Sequence, residues 1–381
     1  MNAYSQGPPK ASRGGAYVVA LDVGGTAMKG GLVGSSGEVL LTDKRPTPRD
    51  EGPLRVVEAI RTFIDDLAKA GQGTPSGVGL AVPGLVTSDT AVYSANIGWK
   101  DVPAADFTSL EVPVRLGHDV RTGGLAERVL GAGRAEPDFL FLPIGTGIAG
   151  AMIIAGEPYG GSAGWGGEIG HIPVFPEGER CACGQIGCLE TYASAASVAR
   201  RYGERRSRAA SVRDLNAQSG VTIDSADAGI AAASAPSAAS APSAASAASA
   251  PSAPFAPFAP FAASAEDVVA LAMRGDPDAS AVWDEALEAL SLALASYTLL
   301  LDPSSIVIGG GLAEAGPALF EPLAERLEAR LTFRPAPPLR RAALGMSAGM
   351  LGAALLGWQA AGIPDAGATW ALDVLRSPSV P

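Results

Sequence analysis

All three cysteines of this chain, and one of its two histidines, fall within the eighteen residues from His171 to Cys188. The cysteines stand in the run Cys181-Ala182-Cys183-Gly184-Gln185-Ile186-Gly187-Cys188. Three thiolates and an imidazole make a closed four-coordinate set, the ligand field of a structural zinc with no position left for substrate. Gly184 and Gly187 let the backbone fold tightly around an ion. The bland alternative is three small buried hydrophobes, and the clustering weighs against it. A disulfide or redox pair is weaker still, because Cys-x-Cys closes too short a loop for an easy bridge.

A second set of residues is acidic. Asp22 ends an apolar run beside Gly24, Gly25 and Thr26, with Lys29 nearby. A carboxylate there could hold a hydrated Mg²⁺ carried by a nucleotide while loop amides meet phosphate oxygens, although Asp-x-Gly-Gly also occurs in plain turns. Asp119 follows Gly117-His118 at the end of another apolar run, where a carboxylate can lie in a cleft and take a proton from an attacking hydroxyl. Glu168 and His171 are spaced to share one side of a turn. Glu190 follows Cys188 by two residues, so zinc would stiffen the loop that presents both glutamates. Carboxylates together with an amide such as Asn96 suit a polyol, whose desolvated hydroxyls each need a partner. Asn96-Ile97-Gly98-Trp99 on its own reads as a turn with a packed tryptophan.

These residues must be positioned by a strand-rich α/β frame. Tyr17 to Leu21 and Met28 to Val33 read as strands joined by a tight glycine turn, and Glu38 to Leu41 as a third strand. A strand leading into a strand excludes the strand-to-helix entry of a dinucleotide fold. Leu54, Val57, Ile60, Ile64 and Leu67 share one face of a helix over 54–70. Gly77 to Val82 and Val112 to Leu116 are further strands, the second followed by a helix through Leu130. The pattern then restarts: Asp138 to Ile144, the turn Gly145-Thr146-Gly147, and Ala149 to Ile154. Two strand–turn–strand units imply duplicated domains facing a cleft, with backbone amides able to hold a polyphosphate from both sides. Later, Ser305 to Ile308 is a strand leading into Gly309-Gly310-Gly311 and a helix from Gly316. A small-residue helix over 342–358 closes the core.

Composition narrows the class. Apolar residues make up 47% of 381, enough for two cores. The net charge of −11 and the lack of a dense basic run exclude a nucleic-acid footprint. The short group Arg200, Arg201, Arg205, Arg206 and Arg208 reads as a solvated helix surface. No run is long and apolar enough to span a membrane, the Gly/Pro/Ser-rich residues 1–16 do not form a signal peptide, and a thiolate cluster favours a reducing, cytoplasmic setting. Residues 228–265 contain no charged residue and are mostly Ala, Ser and Pro, which reads as a disordered insertion.

Taken together the motifs resemble the ROK family of bacterial sugar kinases and sugar-responsive repressors. The resemblance rests on Asp22-Val23-Gly24-Gly25-Thr26 with Lys29, Pro83-Gly84, Asn96-Ile97-Gly98-Trp99, Asp119, Gly145-Thr146-Gly147-Ile148, Glu168-Ile169-Gly170-His171, the cysteine run through Leu189-Glu190, and Gly309-Gly310-Gly311. It covers about residues 17–360, and the Glu-x-x-His with Cys-x-Cys-Gly-x-x-Gly-Cys-x-Glu signature is its most specific part.

The resemblance implies an α/β, two-domain actin-like (ribonuclease H-like) sugar kinase fold with a cleft between domains at 17–130 and 131–360. The last helix would return to the first domain, and 361–381 would be a tail. It implies that Asp22 to Thr26 with Lys29 and Gly145 to Gly147 bracket the ATP phosphates, and that Gly309 and Gly310 lie against the adenosine. Asp119 would be the general base. Gly84, Asn96, His118, Asp119, Glu168, His171 and Glu190 would line the sugar site. His171, Cys181, Cys183 and Cys188 would bind zinc, with His171 turning its other nitrogen to the sugar. Mg²⁺ would arrive with ATP, and a homodimer is implied.

One position departs from the family: His118 stands where an asparagine is usual. A histidine there is bulkier and titrates near neutrality when unperturbed, which bears on sugar choice. Glucose is the favoured substrate, with N-acetylmannosamine, N-acetylglucosamine or fructose behind it, and polyphosphate as an alternative donor. A repressor would need a DNA-reading helix ahead of the first strand, where only sixteen residues stand. A silent sugar-binding regulator would tolerate loss of Asp119 or the phosphate glycines, and all are present.

Overall fold

The computed structural model describes residues 15–219 and 263–370. Most of the stretches 1–16 and 228–265, and the end of 361–381, lie outside these residues.

The first sheet begins with β1 (Tyr17–Val23), β2 (Ala27–Gly34) and β3 (Val39–Pro46), an antiparallel meander. α1 (Pro53–Ala70) follows, with Pro53 at its first position, where a missing N–H costs nothing. Its buried face is Val56, Val57, Ile60, Phe63, Ile64 and Leu67, whereas Leu54, expected on that face, is 85% exposed in the first turn. β4 (Val78–Val82) joins β1 in parallel. The chain then forms a small antiparallel sheet, β5 (Leu85–Val86), β6 (Thr90–Tyr93) and β7 (Lys100–Pro103), before β8 (Val114–His118) completes the first sheet beside β4. α2 (Asp119–Leu130) starts directly at its end.

The second sheet repeats the plan with β9 (Phe139–Pro143), β10 (Ala151–Ile154) and β11 (Glu157–Tyr159). After α3 (Leu189–Ala193), α4 (Ala195–Ser219), α5 (Ala265–Met273) and α6 (Pro277–Leu301) come β12 (Ser305–Gly309), α7 (Pro317–Arg330) and β13 (Leu339–Arg341). The strand orders are β3-β2-β1-β4-β8 and β11-β10-β9-β12-β13, two antiparallel pairings followed by two parallel ones in each sheet. Ser264 opens α5 with a capping box to Asp267, so residues 264 and 265, the last of the expected insertion, belong to the start of a helix.

Closing the chain, α8 (Ala348–Ala360) is buried almost all round, as a helix between two layers must be. It lies on β1 and β4 on one side and on α2 on the other, and its small residues permit this: a Cβ on Gly79 would overlap the Ala353 carbonyl, and one on Gly352 that of Thr122. The helix starts six residues later than its composition suggests. Residues 342–347 instead form the crossover from β13, because the buried carboxylate of Glu127 takes the N–H groups of Ala343 (3.1 Å) and Leu344 (2.9 Å), as well as Ala132 (2.7 Å). The first part of 361–381 is packed rather than trailing. Trp370 is 1% exposed against Gly37 and donates to the Ser35 carbonyl at 3.0 Å.

Candidate active site

In parallel sheets, ligands gather beyond the carboxyl ends of the strands. Here β1, β4 and β8 run in parallel, with Asp22 level with Ala81 and Val82 level with His118. Asp22 and Asp119 are thereby brought to the same rim, although almost a hundred residues separate them. Across the β1–β2 hairpin Asp22 faces Lys29. On its other side the first turn of α8 approaches so closely that a Cβ on Gly349 would overlap the Asp22 carboxylate. Burial raises the Asp22 carboxyl to about 6 against the pull of Lys29.

Asp119 is the first residue of α2, and its Oδ1 accepts the Val120 N–H at 2.8 Å. Burial, and then the charges of Asp22 and Glu168, push its carboxyl up to about 7, while the Val120 N–H and Arg121 pull the other way. The side chain retains 29% exposure, so it is open to a ligand. A carboxylate poised near neutrality and still reachable is suited to proton transfer. Glu168 comes from the loop after β11, so the charge that acts on Asp119 is supplied in part from the second half of the chain.

His118 caps α2, its Nδ1 accepting the Arg121 N–H at 3.4 Å and lying 3.2 Å from Asp119 Oδ1. The expectation that it titrates near neutrality is corrected: burial first, and then Arg121, lower it to about 3, so the ring is neutral at physiological pH.

The glycine turns are held from outside. Thr47 Oγ1 donates to the Gly24 carbonyl at 2.7 Å, and the Thr47 N–H to that of Thr26 at 3.0 Å. The second turn is closed by Gly145 N–H to Gly147 at 3.1 Å and receives the Ala195 N–H at Gly145 (2.8 Å). Glu190 Oε2 accepts the Ile148 N–H at 2.7 Å, so this glutamate braces the turn from α3. Gly310, at φ +75°, sits against the Ile144 backbone beside that same turn, and Gly309 accepts the Ile144 N–H at 2.9 Å. A cavity of about 290 Å³ lies between Thr146 and the cysteine loop, lined among others by Glu190, Ser194 and Arg200.

The four metal-type ligands converge, with donor atoms all within 4.8 Å of one another. A tetrahedron with zinc–sulfur bonds of about 2.3 Å puts its corners about 3.8 Å apart. Cys183 and Cys188 Sγ are 3.7 Å apart, and Cys181 Sγ is 3.8 Å from His171 Nδ1. The set therefore fits zinc, with Nδ1 as the imidazole donor and Nε2 left over. Gly187, at φ +76°, has no room for a side chain against Phe175.

Not every expected residue converges with these. Asn96 is exposed on a turn, and the adjacent Trp99 is buried edge-on against Phe107 at 5.7 Å. Gly84, at φ +97°, turns the chain between β4 and β5 against Tyr93 and Ser94. The arginine group is not simply a solvated surface. Arg201 is nearly buried, pairs with Glu179 and Glu285, and lies over the Tyr192 ring at 4.5 Å, while Arg200 bonds Glu179 at 2.8 Å. These pairs fasten the cysteine loop to α4 and α6. Sequence reasoning missed Arg121; the available signal was a cation in the first turn of a helix, where the dipole disfavours it.

Duplicated sheets with acidic and glycine-rich rims define the actin-like fold. The sequence pattern of the ROK family matches residues 18–360, and the chain belongs to that family. It is 32% identical over 352 residues to the glucokinase of Halalkalibacterium halodurans, covering 90% of this chain and 94% of that protein. Among solved structures, the ROK hexokinase from Thermus thermophilus matches with a TM-score of 0.64 at 30% identity, covering 90% of this chain and 98% of that one. The ROK family glucokinase from Streptomyces griseus, in complex with glucose and AMPPNP, matches with a TM-score of 0.67 at 27% identity, over 90% and 100%.

Proposed function

We propose that this sugar kinase transfers the γ-phosphoryl group of ATP to a hexose hydroxyl, with O6 of glucose as the acceptor and Asp119 as the general base. The observation that carries the reading is Asp119 itself: reachable, raised to about 7, and gathered with Asp22 and Glu168 at one cleft. In the ground state the sugar hydroxyl would donate to Asp119. As the oxygen attacks phosphorus, the proton passes to the carboxylate and the displaced ADP carries the charge away.

The donor phosphates would lie between the turns 24–26 and 145–147, whose amides offer donors to the developing charge. Lys29 would balance Asp22 on that side, and Gly309 and Gly310 would leave room for the nucleoside. Mg²⁺ arriving with ATP would neutralise phosphate charge, and Asp22 is the carboxylate placed to meet its water shell. Sugar hydroxyls would be read by His118, Glu168, His171 Nε2 and Glu190. Zinc on His171, Cys181, Cys183 and Cys188 would be structural, fixing the loop that carries His171 and ends at Glu190. Two units, residues 17–130 and 131–360, would close on the ligands and exclude water.

A panel of glucose, mannose, fructose, N-acetylglucosamine and N-acetylmannosamine with Mg-ATP tests the reading, with ADP release as the readout. Release that depends on glucose and exceeds that with the other sugars is the expected result. ADP release with none of them would overturn it, and sugar phosphate formed from polyphosphate alone would replace ATP as the donor.

A further inference from the structure

Arg121 is the charged residue of the cleft to which the chemistry above gives no task. It occupies the first turn of α2, two residues after Asp119, where a half-buried cation opposes the helix dipole and loses hydration. Departures from local preference of this kind concentrate at functional sites.

Its contacts show what it does. Nη1 donates to the carbonyls of Gly164 at 3.0 Å and Gly166 at 3.2 Å. Both belong to the loop 160–168, in which Gly160, Gly161, Gly164, Gly166 and Gly167 leave little stiffness of its own. Its other ties are Gly166 N–H to Gly160 at 2.8 Å, Gly150 N–H and Ile169 N–H to Gly167 at 2.7 Å each, His171 N–H to the Glu168 carbonyl at 3.0 Å, and Leu85 resting on Gly164; only the first and last of these touch the stretch 160–166 that Arg121 grips. It ends in Glu168, whose charge reaches Asp119 from the opposite side of the cleft. Three acids, Asp22 on β1, Asp119 on α2 and Glu168 on the loop, therefore influence one another, with Lys29 facing the first, the neutral His118 beside the second, and the charge of Arg121 acting on the second and third.

We propose that Arg121 is a positioning residue: its two hydrogen bonds hold the glycine loop 160–168 across the cleft and so set Glu168 on the sugar, while its charge offsets the crowding of Asp119 and Glu168. The kinetic consequence rests on the sugar-kinase reading; the clamp on the loop does not.

The test compares wild type, Arg121→Met and Arg121→Lys by hydrogen exchange and by initial rates. In Arg121→Met, amides of 160–168 should exchange at least about tenfold faster, with peptides from β9 and α8 unchanged. Sugar KM should rise roughly 10- to 100-fold, as for loss of hydrogen bonds from a charged group, with ATP KM within about twofold. Because the cation beside Asp119 is gone, the acid limb of kcat/KM should move to higher pH. Arg121→Lys keeps the charge and hence the limb, but lacks the planar fork and should still loosen the loop; it carries the same exchange test should the Met variant not fold. Unchanged loop exchange and unchanged sugar KM would overturn the clamp. Faster loop exchange in variants of a protein that phosphorylates no sugar would sink the kinase reading and leave the clamp standing.

Discussion

The turn after β1 and the turn after β9 occupy equivalent places in two sheets of identical strand order, yet they are furnished differently. The first carries its carboxylate in its own strand, Asp22, balanced by Lys29 across the hairpin. The second has no charged residue of its own, and its carboxylate, Glu190, arrives from α3 to accept the Ile148 N–H. The outer strands differ as well. β8 ends in His118 and leads directly into Asp119 of α2, whereas β13 runs into the crossover that Glu127 pins. Duplication therefore supplied two similar rims, one furnished with acids and the other with amide donors and the loop that gathers His171 and the three cysteines. The proposed phosphoryl transfer would draw on both, a base on one side and fixed dipoles on the other.

That division can be broken at each end. Asp119→Asn removes the base but keeps its shape, and kcat should fall by about 10²–10⁴ while sugar binding, measured by calorimetry, persists. Retained turnover would take the chemistry away from the acidic rim. Glu190→Gln weakens the brace on the second turn by exchanging a charge-assisted hydrogen bond for a neutral one. Because this residue touches the turn and follows the cysteine loop, KM for ATP and for sugar should both rise, by roughly 10-fold; a change in sugar KM alone would uncouple the turn from the loop. Cys183→Ser should lower bound zinc, read by elemental analysis, and raise sugar KM several-fold with ATP KM little altered. One zinc retained per chain with unaltered sugar affinity would separate the metal from the sugar site.

Much of this frame was legible in the sequence because its signals are local. Alternating and continuous apolar runs bounded by glycine marked β1, β2, β4, β9 and β12. The cysteine cluster stood out because cysteine occurs nowhere else in the chain. What escaped depends on partners distant in sequence. The small sheet β5-β6-β7 is made of short, half-exposed strands whose pairing supplies the order that composition lacks. Arg201 looks like a surface cation until Glu179, Glu285 and Tyr192 surround it. His118 has an ordinary pKa as a sequence residue and a strongly lowered one once buried beside Arg121. The crossover at 342–347 reads as helix because its small residues favour one, and Glu127, more than two hundred residues earlier, unwinds that reading.

The account turns on Asp119 acting as a base from among like charges, and the pH dependence of kcat/KM for the sugar tests this most directly. A base works only when ionised, so activity should level off well above pH 7 and fall to half as the pH drops to about 7, where burial with Asp22 and Glu168 holds this carboxyl. Asp22, held at about 6, titrates with it and should steepen the fall. A profile that stays flat down to about pH 5, near the ordinary range of an unperturbed carboxylate, would contradict the assignment of Asp119 as the base.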